Sequence, residues 1–249
     1  MTIAPVVAAE LWFGSVKLTC GAQSISWTAD AESLDATTFC SAGWKQFLGG
    51  AKGGTVQFDG FADYTAPTNG IAPDKDLFDN LAAAAAPVSV AVPAAGGTAV
   101  AVGDPGYTAK SIVAGFDTFG DVNAIAKLEG EVVTTGAQAR GAVLAIPSTT
   151  ITSTGSDTGV QLGALSSTQT LYVALHVFTA VTGTVTVKVQ SDDNSGFTSA
   201  TDRVTFTSAG SAGWQWGTVS GAVTDDYWRA VWTVAGGGSY TFGVVAGIA

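Results

Sequence analysis

The shortages in this chain narrow its function before any motif does. Lysine and arginine total ten in 249 residues and nowhere cluster, against twenty acids, so the net charge is −10. A nucleic-acid binder neutralises phosphates with a basic stripe, and none is present. Histidine occurs once, at His176, and cysteine twice, at Cys20 and Cys40. An isolated cysteine pair at that separation reads as two reduced thiols rather than as a disulfide or a metal site. No run of about 20 apolar residues exists, so no helical membrane span is expected. Met1–Ala9 is apolar but short and has no basic leader. It reads as an extended arm, with Pro5 disfavouring helix, and not as a signal peptide.

Charged side chains make up only 12% of the sequence and apolar ones 47%. The surface must then be largely Thr, Ser, Gly and Ala, as in proteins that bury much of it in an assembly. Reactive constellations are equally scarce. His176 sits on an alternating strand and reads as structural. No nucleophile motif or phosphate loop is found. Asp192-Asp193-Asn194 lacks the ligand spacing of a calcium loop, which favours a turn. Arg203 and Arg229 are expected to pair with carboxylates at a strand edge. No enzyme and no cofactor or metal is expected.

Periodicity gives an all-β chain with one short helix. Ser24–Ala31 alternates, and Val56, Phe58 and Gly60 oppose Gln57 and Asp59. Asp74–Ala86 reads as the helix, with Pro73 near its start, aspartates in its first turn, an alanine run and Pro87 as its stop. Leu77, Phe78 and Leu81 share its apolar side. Val88–Val92, Thr98–Val102 and Ala109–Phe116 read as strands. Along Asn123–Val133, Leu128 and Val132 face one way while Lys127, Glu129 and Glu131 face the other. That charged face is either the wall of a wet lumen or a plain solvated surface.

The expected domains are 1–148, a polar Ser/Thr/Gly linker at 149–158, and a β-sandwich at 159–249. In the last of these, alternation recurs at 171–178, 184–190, 204–206 and 228–246, with turn signals between. Trp214, Trp216, Trp228 and Trp232 form either a sugar-stacking platform or the sandwich core. The parity of Trp228 and Trp232 with Ala230 and Val234 favours core.

One stretch breaks these patterns. Between Asp35 and Asp63, Phe39, Trp44, Phe47 and Leu48 sit among glycines with no period to bury them. Such groups either fold back on their own sheet or wait for a partner. This block resembles the tail tube (major tail) proteins of long, non-contractile-tailed bacteriophages, through Thr37-Thr38-Phe39, Trp44-Lys45-Gln46-Phe47, Leu48-Gly49-Gly50 and Phe61-Ala62-Asp63. It departs from them at Cys40–Gly43 and in the low charge of the loop. The second half resembles a domain appended to such proteins, through Gln190-Ser191-Asp192-Asp193, Gly196-Phe197 and Asp226-Tyr227-Trp228-Arg229.

The resemblance implies a tail-tube β-sandwich or barrel domain in the first half. It implies hexameric rings stacked into a virion tube, assembled in the host cytoplasm with tape measure and tail terminator proteins. DNA would pass through without specific binding, past an acidic inner wall that includes Glu129 and Glu131. Phe39, Trp44, Phe47 and Leu48 would make the contact between rings, and the sandwich would sit outside. The alternative from the residues alone is a carbohydrate-binding or surface-decoration β-sandwich, which needs Trp214 and Trp216 exposed.

Overall fold

A computed structural model describes residues 8–19, 22–65, 70–94 and 97–249. Most of the arm at Met1–Ala9, and Cys20, lie outside these residues. Alternation becomes strand along most of the chain. The elements are β1 (Glu10–Phe13), β2 (Val16–Lys17), β3 (Ala22–Asp35), β4 (Phe47–Gly60), α1 (Pro73–Asp79), β5 (Ala86–Ala91), β6 (Pro105–Phe119) and β7 (Lys127–Ala145). They continue with β8 (Gly155–Ser156), β9 (Val160–Gln161), β10 (Thr170–Val181), β11 (Thr184–Asp192), β12 (Thr201–Thr205), β13 (Gly213–Ser220), β14 (Tyr227–Ala235) and β15 (Ser239–Ile248). The fold is all-β and antiparallel with one short helix, as the periodicity predicts.

Ten strands form one sheet, in the order β13-β10-β15-β7-β6-β5-β1-β2, with β4 branching from β7 and β3 paired to β4. The second sheet has five strands, β12-β11-β14-β8 with β9 also on β14. Leu171, Val173, Leu175 and Val177 of β10 and Tyr240, Phe242 and Val244 of β15 meet Val185, Val187 and Val189 of β11 and Trp228 of β14 in one core. A second core holds Leu11, Phe13, Val56, Phe58, Leu77, Val88, Val113, Leu128 and Val132. A third cluster, with Trp12, Val143, Phe178 and Val245, lies where strands of the two halves meet.

The strand β7 links these parts. Its residues 130–133 pair with Phe58–Thr55 of β4, and Arg140–Ala145 pair with Ile248–Val244 of β15. Its other edge pairs with β6 nearly end to end. Where β4 leaves and β15 has not yet begun, side chains of β7 close the fork. Thr134 Oγ1 donates to the Gly54 carbonyl (3.1 Å) and Gln138 Nε2 to the Gly53 carbonyl (2.6 Å). Gln138 Oε1 in turn accepts from Trp27 Nε1 at 2.8 Å. The polar segment 149–158 pairs with both sheets, with β15 of the first and β14 of the second. Ile151 bridges Tyr240, and β8 pairs with Val231 and Trp232.

The helix ends sooner than its alanines suggest. It stops at Asp79, Ala82 turns left-handed (φ 53°), and Ala86 opens β5 opposite Ser111. Pro87 disfavours helical backbone at Ala86, and burying Ala86 in a strand outweighs the propensity of the run. Of the predicted apolar stripe only Leu77 is buried; Phe78 and Leu81 are exposed, and Asp76 faces inward instead. Thr98–Val102 is loop and bend, not strand.

The turn between β1 and β2 is held from three elements. Gly14 N donates to the Pro87 carbonyl (2.9 Å), and His176 Nδ1 donates to the Gly14 carbonyl (2.8 Å). That assigns His176 Nε2 as acceptor from Ser89 Oγ, at 2.9 Å. Asp76 packs against Gly14 from α1, where an added Cβ would lie 3.0 Å from Asp76 Oδ2. Gly14 is left-handed (φ 52°), so both conformation and space favour glycine.

Burial, helped by the neighbouring Asp79, pushes the Asp76 carboxyl up to about 6. Burial lowers His176 to about 4, against the opposing pull of the Gly14 carbonyl. The two act oppositely on stability. Asp76, raised, supports the fold at acid pH and loses that support as the pH rises through about 6. His176, lowered, supports the fold above its ordinary pKa and loses that support as the pH falls toward about 4.

Two outcomes are expected from these packings. Trp12→Ala, at a side chain fully buried between the halves, destabilises by about 3–5 kcal/mol in urea unfolding. Asp76→Asn keeps an acceptor for Asn80 and removes the titration. From about pH 3 to about pH 8 the stability difference moves in the variant's favour by about 3 kcal/mol.

Candidate self-association surface

The pairing of β3 with β4 runs far beyond the body of the molecule. Register continues from Ala29 opposite Gly54 to Asp35 opposite Phe47, whereas β4 leaves β7 at Thr55. At about 3.4 Å per residue, the outer part of this ribbon stands roughly 24 Å clear of the sheet. Residues 28–35 of β3 are all exposed, and so are Phe47–Gly49, Ala51 and Lys52 on β4. A two-stranded ribbon covered on neither face is marginally stable alone. One residue more on β4 than on β3 lies between the Ala31–Lys52 and Ser33–Gly49 pairs, which makes a bulge.

The tip is held by its own hydrogen bonds. Ala36 N donates to the Gln46 carbonyl (2.8 Å), and Gln46 N to Thr37 Oγ1 (3.0 Å). Phe39–Ser41 form a short 3-10 turn that begins at Thr38, whose N donates to Ser41 Oγ (3.0 Å). Trp44 N closes the next turn on the Ser41 carbonyl (2.9 Å). Ala42 and Gly43 are both left-handed and reverse the chain. Thr37 donates to Asp35 at the base of the tip and holds that carboxyl below its usual range.

With its backbone satisfied, the tip leaves its apolar side chains uncovered. Phe39 is fully exposed, Trp44 is 80% exposed, Leu48 62% and Phe47 57%. The choice left open by the sequence is thereby resolved: these four do not fold back on their own sheet. Leu34 and the free thiol Cys40 are exposed beside them. Among the described residues nothing pairs with the outer edge of β3, whose only charges are Asp30, Glu32 and Asp35.

Glu129 and Glu131 lie elsewhere on the sheet, on the solvent face of β7 that alternation predicts. Glu129 stands directly opposite Asp117 of β6, and Glu131 accepts from Gln57 Nε2 at 2.8 Å. Asp59 lines the same shallow concavity. Carboxylates facing across adjacent strands repel, and exposure to water is what makes the arrangement tolerable.

The other sequence candidates are occupied by packing. His176 is enclosed, with a backbone carbonyl rather than a carboxylate on Nδ1. Asp192 accepts from Ser199 N (2.8 Å) and Asn194 N (3.3 Å), which makes it the anchor of a turn. Burial acts to raise its pKa, and these hydrogen bonds hold it below the usual range. Among the described residues no group of metal-ligating side chains converges. Arg203 pairs with Asp225 at 2.9 Å. Among the described residues Arg229 meets no carboxylate; it lies 4.2 Å over the Phe197 ring and donates to Gln190 Oε1. Trp228 is fully buried and donates to the Gly163 carbonyl. Trp232 packs edge-on against Phe242, Trp216 tilts against Tyr172, and Trp214 reaches the first-half core. None of the four is exposed, and no large apolar side chain of residues 149–249 is.

Sequence reasoning missed a second apolar patch. Phe119, Val122 and Ile125, at the turn joining β6 to β7, are all exposed, and Tyr64 stacks on Phe119 at 6.0 Å. The signal was present, since Val122 lies between Gly120 and Asn123, outside any strand read from the sequence, and Ile125 falls at the start of the segment read as a strand from Asn123.

No protein-family model matches the chain, and no curated protein matches it. Solved structures do. A chain in the virion of a native gene transfer agent particle matches at 16% identity, over 55% of this chain and 98% of that one, with a TM-score of 0.42. The SPP1 tail tube matches at 7% identity, over 55% and 78%, with a TM-score of 0.42. The SPP1 Dit protein, of the hub adsorption apparatus in phages infecting Gram-positive bacteria, matches at 10% identity, over 96% and 98%, with a TM-score of 0.33. No described helix is long and apolar enough to cross a membrane.

Replacing Trp44 and Phe47 together by alanine is expected to change monomer stability by no more than about 0.5 kcal/mol, as for other exposed sites. Urea unfolding of dilute protein checks this. A loss of several kcal/mol would mean that the tip is packed in the free chain.

Proposed function

We propose that this chain is the tail tube subunit of a long, non-contractile-tailed phage or a related phage-like particle, assembling as stacked hexameric rings into a conduit for DNA. The observation that carries this reading is the ribbon tip: large apolar side chains, uncovered, on a two-stranded projection that the described residues cover on neither face. The resemblance of residues 35–63 to tail tube proteins agrees with it. The β3 edge, unpaired among the described residues, supports ring closure by strand pairing, which removes the edge. Phe39, Trp44, Phe47 and Leu48 make the contact between rings.

In this reading Glu129 and Glu131, with Asp59 and Asp117, line the lumen, where negative charge keeps DNA from sticking. Residues 159–249 lie on the exterior, consistent with a surface free of exposed large apolar groups. Tape measure and tail terminator proteins set the length during assembly in the host cytoplasm, and the product belongs to the virion.

Electron microscopy of the purified protein tests the proposal. Concentrated protein is expected to form rings or tubes, and the Trp44→Ala/Phe47→Ala variant to form few or none while remaining folded by circular dichroism. Strictly monomeric protein at high concentration, even with tail initiation proteins added, would overturn it.

A further inference from the structure

The two apolar tips lie at opposite ends of the same pair of strands. The strand β4 runs away from the Phe39–Leu48 tip toward Gly60. The antiparallel β7 begins at that far end, where Phe61 bridges Lys127. The β6–β7 turn, with Phe119, Val122 and Ile125, therefore points away from the ribbon. Their charges are opposite. The tip residues 36–48 hold Lys45 and no acid, in a chain with only ten basic residues; Asp30, Glu32 and Asp35 lie below it on β3. Residues 117–129 hold Asp117, Asp121 and Glu129 against the single Lys127. Val122, at 91% exposed, forms the apex of this acidic apolar tip.

We infer that the β6–β7 turn is the receptor for the ribbon tip of a second copy of this chain. This rests on the self-assembly reading above and adds to it the surface on which the tip lands. Trp44 and Phe47 of one copy cover Phe119, Val122 and Ile125 of the next, while Lys45 meets Asp121. The contact joins unlike surfaces, so each copy that docks presents a fresh receptor at its far end. A tip-to-tip contact would bring like charges together and stop at a dimer.

The native thiol of Cys40, exposed on the tip, supplies the test. One chain carries Cys20→Ser and keeps Cys40. The other carries Cys20→Ser, Cys40→Ser and Val122→Cys. A short bismaleimide is added to the mixture under assembly conditions, and to each chain alone. A covalent dimer is expected from the mixture and not from either chain alone. Asp121→Lys in the second chain is expected to reduce the product severalfold, and Lys45→Glu in the first to restore it. Rings or tubes that form without the mixed dimer would overturn the receptor assignment and leave self-assembly standing. Dimers of the Cys40 chain with itself would overturn it in favour of a symmetric contact. Neither particles nor cross-links under any condition would overturn both.

Discussion

The architecture depends on how the nineteen-residue strand β7 divides its pairing. Its hydrogen-bonding capacity along one edge is satisfied almost throughout by β6. Along the other it is satisfied by β4 at the start and by β15 at the end. A backbone edge must be paired, covered or wet. Here the changeover is covered by Thr134 and Gln138, which reach the carbonyls of Gly54 and Gly53 as β4 departs. Both the continuity of the large sheet across the molecule and the release of the ribbon follow from that one strand.

The same division separates two kinds of surface. Where strands of the two sheets face each other, apolar side chains are consumed by the sandwich core, and the second half shows water only small or polar groups and half-covered rings. Beyond the fork the described residues supply no second layer, so apolar residues on the ribbon pack on none of them. Every exposed large apolar side chain among the described residues falls between Leu34 and Ile125. Exposed patches of this kind, concentrated at ends rather than scattered, are characteristic of surfaces that a neighbour covers.

Much of the strand content was legible because alternation at 171–178, 184–190 and 228–246 is enforced by burial on one face. The core placement of Trp228 followed from its parity with Ala230. The Ala82–Ala86 run misled, since intrinsic propensity is worth tenths of a kcal/mol per residue and a buried strand residue beside proline is worth more. Asp76 reads from the sequence only as a helix-dipole residue; its packing against Gly14, sixty residues away, is reported by no local pattern. For the site, the oddity of Trp44, Phe47 and Leu48 was visible as a lack of period. Their exposure was not, because it depends on whether another layer lies across from the ribbon. The β6–β7 turn escaped notice for a related reason: Ile125 falls in a segment that reads as strand from Asn123, whereas the chain is still reversing there and β7 begins at Lys127.

The internal bonding of the ribbon tip bears on how strongly so small a surface can act. Ala36, Thr37, Thr38, Ser41 and Trp44 fix the turn before anything touches it. Much of the loss of backbone freedom that a floppy loop would suffer on being captured has already occurred during folding. A handful of rings presented in one arrangement can therefore hold a neighbour with little more than their own contact area, and in the proposed tube repetition would multiply that hold.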